Sequence, residues 1–201
     1  MSVIQRITFP VSSAYTSRPN SFASSHAILN RASGHVSSFH GLQVDDGKTG
    51  YFITVWQSPQ DHHAFSESAV YGDFLSTLKP AAAGELETYH ITLGSIDPST
   101  ALGSPTTELV LFTLKEGITI ADVAPLFEEL ARGLDAASGA HPPCFWGPSD
   151  DNHILVFVGW DSVEAHWEAV KEGTVLHVTI QALLKKTDFV LGHAPLVKCT
   201  I

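Results

Sequence analysis

Two histidines, His62 and His166, stand in the same local company. Each follows a tryptophan by six residues and a serine by four, so Trp56, Ser58 and His62 recur as Trp160, Ser162 and His166, 104 residues on. A histidine of near-neutral pKa inside an apolar pocket can take a proton from a phenol or from the acidic carbon of a β-dicarbonyl. The competing reading is packing: a tryptophan at a strand end covers the helix that follows, and the histidine bonds locally. An echo at half the chain length marks a duplicated structural unit.

The elements that position these residues follow from local chemistry. Tyr51 to Trp56 (YFITVW) and Ile154 to Trp160 (ILVFVGW) are short runs rich in β-branched and aromatic residues, which read as strands buried on both faces. Ser58 and Ser162 suit the N-cap of a following helix, with Pro59 at its first position and Asp61 or Glu164 as an early acid. Alternation puts Trp56 on one strand face with Thr54 and Phe52, and Trp160 with Val158 and Val156. Trp and His would then line one pocket between sheet and helix.

Around these segments the same order of elements occurs twice. Strands are expected at Val3–Phe9, His35–Val44, Tyr51–Trp56 and Leu86–Leu93, a short helix through Ala27–Arg31 after a Ser- and Pro-rich loop from Ser12 to Ser25, and a long helix from Pro59 to Leu78. The second half offers strands at Leu109–Leu114, Pro142–Trp146, His153–Trp160 and Phe189–Val197. Its helices run through Ile120, Val123, Phe127, Leu130 and Leu134, and from Val163 to Lys186 with a break at Gly173. The fold expected is α+β: two ferredoxin-like (split βαβ) repeats packed sheet to sheet as a single-chain pseudo-dimeric α+β barrel, because one bare apolar sheet face would cover the other. The repeats are placed at residues 1–97 and 107–201, with a linker of Pro, Gly and small polar residues at 98–106.

Bulk properties narrow the function classes. Eleven Lys and Arg against 21 Asp and Glu give a formal charge of -10, which disfavours nucleic acid and anionic membranes as partners. No signal-peptide pattern and no run long enough to span a bilayer are evident, so a cytoplasmic location is expected. Cys144 and Cys199 are too few for a disulfide framework or zinc motif, and adjacent His62 and His63 point about 100° apart on a helix, so no metal site is expected. No Gly-rich phosphate loop follows a strand. The run HPPCFW, His141 to Trp146, reads as a proline-protected edge strand or a rigid pocket wall.

The segments VWQSPQDHHAFSESAVYGDFLSTLKP and VGWDSVEAHWEAV resemble the strand-to-helix segment of the antibiotic biosynthesis monooxygenase (ABM) family, in the dimeric α+β barrel superfamily. The shared pattern is Trp, any residue, Ser, three residues, then His or Tyr. Family members usually build the barrel from two chains, and this chain resembles a fused pair. The resemblance implies that Trp56 with His62, and Trp160 with His166, line the pocket that holds a polycyclic phenolic substrate in the cofactor-free oxygenases. Those oxygenases carry an Asn four residues before the Trp, where this chain has Phe52 and Val156. The superfamily also holds polyketide cyclases resembling olivetolic acid cyclase, and haem-binding enzymes. His153, His166 and His177 offer cyclase-like chemistry outside the cyclase register.

The expectation is therefore a small-molecule tailoring enzyme of secondary metabolism, a cofactor-independent monooxygenase or cyclase, acting on an apolar aromatic or polyketide-like ligand. His62 and His166 are the candidate catalytic residues, and Trp56, Trp160, Phe52, Tyr71 and Val156 the candidate substrate contacts. No cofactor is called for, and a homodimer is left open. The alternatives are a non-catalytic barrel that binds a hydrophobic ligand or serves a stress response, and a haem-binding barrel. The two pockets are expected to differ, one open and one filled by side chains, because the second copy has Trp167 for His63 and Gly173 within its helix.

Overall fold

The protein is described by a computed structural model covering residues 1–17 and 22–200. The chain divides into two compact units, one of residues 1–95 together with the segment from Val197 on, the other of residues 96–196. Unit 1 runs β1 (Val3–Pro10), α1 (Ser13–Ser17), α2 (Ala23–Leu29), β2 (His35–Leu42), β3 (Thr49–Trp56), α3 (Pro59–Ser66), α4 (Ala69–Leu78) and β4 (Glu87–Thr92). Unit 2 runs α5 (Ser99–Leu102), β5 (Thr106–Leu114), α6 (Ile120–Asp135), β6 (Ala140–Pro148), β7 (His153–Trp160), α7 (Val163–Val170), α8 (Val175–Leu184) and β8 (Thr187–Ala194). A last short strand, β9 (Val197–Lys198), completes unit 1.

Each unit is an antiparallel sheet with its longer helices packed on one face; in unit 2 the short α5 lies against the other. The strand orders are β4-β1-β3-β2-β9 and β6-β7-β5-β8. Apart from β9 they are the same order, with the first and third strands of each split βαβ motif at the centre. Alternation sorts the side chains: Val3, Ile7 and Phe9 of β1 join Phe52 and Trp56 of β3 against α2 and α4, while Val110, Phe112 and Leu114 of β5 join Val156, Val158 and Trp160 of β7 against α6 and α8. Helix α6 shows why these residues make a helix here: Thr119 and Asp122 form a capping box, and Val123, Phe127, Leu130 and Leu134 all fall on its buried stripe.

The serine caps form as the sequence demands. Ser58 accepts a hydrogen bond from Asp61 N at 3.1 Å, and Ser162 from Ala165 N at 3.2 Å. Gly34 and Gly139 hold corresponding places before β2 and β6, both with positive φ (76° and 80°), and their carbonyls accept from Gln57 N and Asp161 N. A Cβ at Gly34 would lie 2.3 Å from Asp61, and one at Gly139 would lie 2.9 Å from Ala165. Both the left-handed backbone and the lack of room require glycine, and this fixes the start of each His-bearing helix.

Several boundaries differ from the sequence expectation. The helix expected from Pro59 to Leu78 is two helices, because Ser68 takes extended backbone and turns its hydroxyl back to Phe65 O at 2.7 Å. The expected break near Gly173 is present, and Thr174 caps α8 by accepting from His177 N. The Ser-rich stretch from Ser12 begins helix α1, started by the Ser12 hydroxyl accepting from Tyr15 N, and α2 begins at Ala23 rather than Ala27. The rest of that expected loop, residues 18–21, lies outside the described residues. The segment of linker composition folds as α5, with Ala101 and Leu102 fully buried against β6 and β7 and with Ser104 and Thr107 hydroxyls donating to Ala101 O. Strand β8 ends at Ala194, and residues 197–198 pair instead with Phe39 and His40 of β2.

Candidate functional site

In unit 2 the ladder brings four polar side chains to one spot under the helices. Glu108 of β5 lies opposite Val158 of β7 on one side and His193 of β8 on the other. It shares the helix-facing side of β5 with Val110 and Phe112. The first turn of α7 sets His166 above it. Trp160 Nε1 donates to Glu108 Oε2 at 2.8 Å, His166 Nε2 lies 3.5 Å from Glu108 Oε1, and His193 Nε2 and His166 Nδ1 are 2.9 Å apart, one ring donating to the other. All four are buried: Glu108 is 5 % exposed, His166 2 %, and Trp160 and His193 not at all. Burial raises the Glu108 carboxyl to about 7, opposed by the Trp160 hydrogen bond. This carboxyl therefore exchanges its proton near neutrality, beside an imidazole.

A cavity of about 210 Å³ opens onto this group. Glu108 and His166 form its polar end. Val110, Phe112, Val156, Ile180 and Leu191 are among its apolar walls, and Trp167 lines it as well. The Trp167 indole is half exposed and lies over His166, ring centres 4.4 Å apart. Convergent polar groups in an apolar hollow are the usual features of small-molecule sites, and a neutral-range acid suits proton transfer.

Unit 1 repeats the frame and changes the chemistry. Gln5 stands opposite Thr54 and His90 on the ladder, the place Glu108 holds opposite Val158 and His193. Trp56 Nε1 donates to Thr54 Oγ1 (2.8 Å), which donates to Gln5 Oε1 (3.2 Å), and Gln5 Nε2 donates to the Tyr71 hydroxyl (3.4 Å). His62 packs on His90 with ring centres 4.6 Å apart, and its buried Nε2 meets no hydrogen-bond partner among the described residues. Burial, then repulsion from His90 and His63, lowers His62 to about 4. Phe52, at the place of Val156, is fully buried against Phe22 and Phe74, and Trp56, Phe65 and Tyr71 continue the same ring cluster. Aromatic rings thus occupy the volume that is open in unit 2. A larger groove of about 490 Å³ in unit 1, beside Ala27, Arg31, Asp61 and Val70, carries none of the tryptophans or histidines.

The lowered histidines of unit 1 predict acid lability. Burial, with His26 nearby, also lowers His35 to about 4. In the unfolded chain both imidazoles titrate near 6.5. Between about pH 6.5 and 4 these two groups bind more protons in the unfolded state, so their contribution to stability is complete above pH 6.5 and falls as pH drops towards 4, partly offset by Glu108, whose raised carboxyl favours the folded state as pH falls below about 7. Unfolding free energies from urea denaturation across this range should fall, by roughly 1–3 kcal/mol in total once partial exposure is discounted. His35→Gln and His62→Gln should flatten the profile, and an unchanged profile in the double variant would refute the assignment.

The structure thus separates the sequence candidates. His166 and Val156 lie at the open cavity, and Trp160 sits behind Glu108 as its hydrogen-bond donor. His62, Trp56, Phe52 and Tyr71 belong to the filled cluster. His153 bonds Asp150, and His177 lies on α8 against the Val170 carbonyl. The proline run HPPCFW forms the edge strand β6, whose register shifts between His141 and Phe145, and Cys144 is buried there. Sequence reasoning missed Glu108 and His193. The signal available was an acid on the inward side of an apolar strand, TTELVLFTL. Among the described residues no three His, Cys, Asp or Glu side chains are disposed around a common metal position, and no helix is long and apolar enough to cross a membrane.

No family model matches the chain, and no curated protein matches its sequence. Solved structures do. An anthrone oxidase-like protein is 12 % identical with a TM-score of 0.71, over 98 % of this chain and 91 % of its own. A candidate monooxygenase from Fusobacterium nucleatum is 12 % identical with a TM-score of 0.68, over 96 % and 91 %. Another, from Lactobacillus acidophilus, is 13 % identical with a TM-score of 0.63, over 99 % and 94 %. At these identities the likeness is one of fold, and it runs through both units. The chain shares the fold of these solved structures, as two ferredoxin-like units in tandem in one polypeptide.

Proposed function

We propose that unit 2 is the site of a cofactor-independent monooxygenase acting on an apolar aromatic or polyketide-like molecule. The observation that carries this is the buried Glu108 and His166 pair at the polar end of the apolar cavity, with His193 bonded to His166 behind it. His166 takes a proton from an acidic CH₂ or phenol, and the Glu108 carboxylate holds the resulting imidazolium. The substrate anion then takes up dioxygen as a hydroperoxide. Loss of water turns the CH₂ carbon into a carbonyl, so one oxygen atom enters the product and the other leaves as water. The names of the solved structures that share the fold agree with this chemistry. A cyclase would use the same deprotonation followed by carbon–carbon closure.

Oxygen uptake with 2-tetralone, which stays neutral in solution at pH 6 to 8, tests the reading. The rate should rise as pH passes about 7, because Glu108 must be ionised. Uptake independent of pH between 6 and 8 would remove Glu108 from the mechanism. Bound probe with no uptake at any pH would leave a ligand-binding barrel.

A further inference from the structure

The cavity's size and its single charged group define what it admits. An apolar protein cavity of about 150 Å³ accommodates benzene. By the same measure about 210 Å³ holds one substituted ring or two fused rings. The lining includes no Lys or Arg, and its only formally charged member is Glu108, already close to His166 and Trp160. A carboxylate on the ligand would be desolvated against an apolar wall and would face a second carboxylate, with no Lys or Arg in the lining to receive it. A neutral hydroxyl or enol can instead donate to Glu108 or exchange a hydrogen bond with His166. Unit 1 shows what the fold tolerates at these places: an amide at Gln5 and a bulky ring at Phe52.

We infer that the unit 2 cavity selects neutral one- or two-ring compounds bearing a weakly acidic hydroxyl or enol, and rejects aromatic carboxylates, with Glu108 as the selecting residue. This rests on the reading of unit 2 as the ligand site and goes further by naming what enters it. The position of Glu108 on the inward side of β5, rather than its titration alone, sets the selection, since the carboxyl closes the far end of the cavity.

The test is binding, measured calorimetrically at pH 8 on the full chain, with 2-naphthol and 2-naphthoate as probes. Bringing like charges together in a desolvated site is unfavourable, so 2-naphthol should bind at least about tenfold more tightly than 2-naphthoate. Glu108→Gln, which copies Gln5, should narrow the ratio to about threefold or less by admitting the carboxylate. Val156→Phe, which copies Phe52, should abolish binding of both. Equal binding of the two probes to the unaltered protein, or a ratio unchanged in Glu108→Gln, would overturn the selection. Full 2-naphthol binding by Val156→Phe would place the ring outside the cavity. Turnover does not enter these measurements: if naphthol binds selectively and no oxygen is consumed, the oxygenase reading falls and the selection stands.

Discussion

Replacing His166 with Gln is expected to lower turnover of a neutral carbon acid such as 2-tetralone by about 10²- to 10⁴-fold, the usual loss for a positioned base. Glutamine fits the space and can bond to Glu108 and His193, but it cannot take a proton. His62→Gln, at the matching place in unit 1, should leave turnover within about twofold, because that imidazole is held at low basicity and packs against the Trp56 and His90 rings. Both variants should be folded by circular dichroism. If His62→Gln stops turnover and His166→Gln does not, the working site lies in unit 1 and the open cavity has another purpose.

The second large effect is on stability. Phe127 is 1 % exposed on α6, its ring 5.0 Å from Phe112 in an edge contact and 5.1 Å from Trp146 in a stack. Removing it leaves a void between α6 and the sheet of unit 2, which the neighbours on two strands cannot close together. Phe127→Ala should cost about 3–5 kcal/mol in urea denaturation. Because Phe112 also lines the cavity, probe binding should weaken in the same variant. A loss below about 1 kcal/mol would mean that this ring is not central to the unit's packing.

The contrast between His166 and Glu108 shows what was legible in the sequence. Trp160, Ser162 and His166 lie close together along the chain, and their spacing survives duplication unchanged, so one strand end and one capped helix could be read from pattern alone. Glu108 and His193 come from strands far apart in the chain. They meet His166 only because β5 lies between β7 and β8, a consequence of sheet order that no local window contains. Their counterparts, Gln5 and His90, sit 103 residues earlier rather than 104, which hides them from the echo that marks the histidines. Likewise the break at Ser68 turns on a single hydroxyl folding back on Phe65, against a helical pattern that continues through it. Composition misread α5, because small residues that suit a linker also suit close packing, and Ala101 and Leu102 are buried for that reason.

Strand β9 bears on the order in which the molecule can be completed as it is synthesised. Its two residues border β2 in unit 1, at Phe39 and His40, and Cys199 N adds a bond to Ser38 O. These partners are separated by the whole of unit 2. A ribosome therefore finishes every strand of unit 2 before it supplies the outermost strand of unit 1. During that interval β2 is an open edge, the kind of surface on which nascent chains join one another. The unit begun first is closed last, and its hold on the chain after residue 196 makes unit 2 an insertion within unit 1.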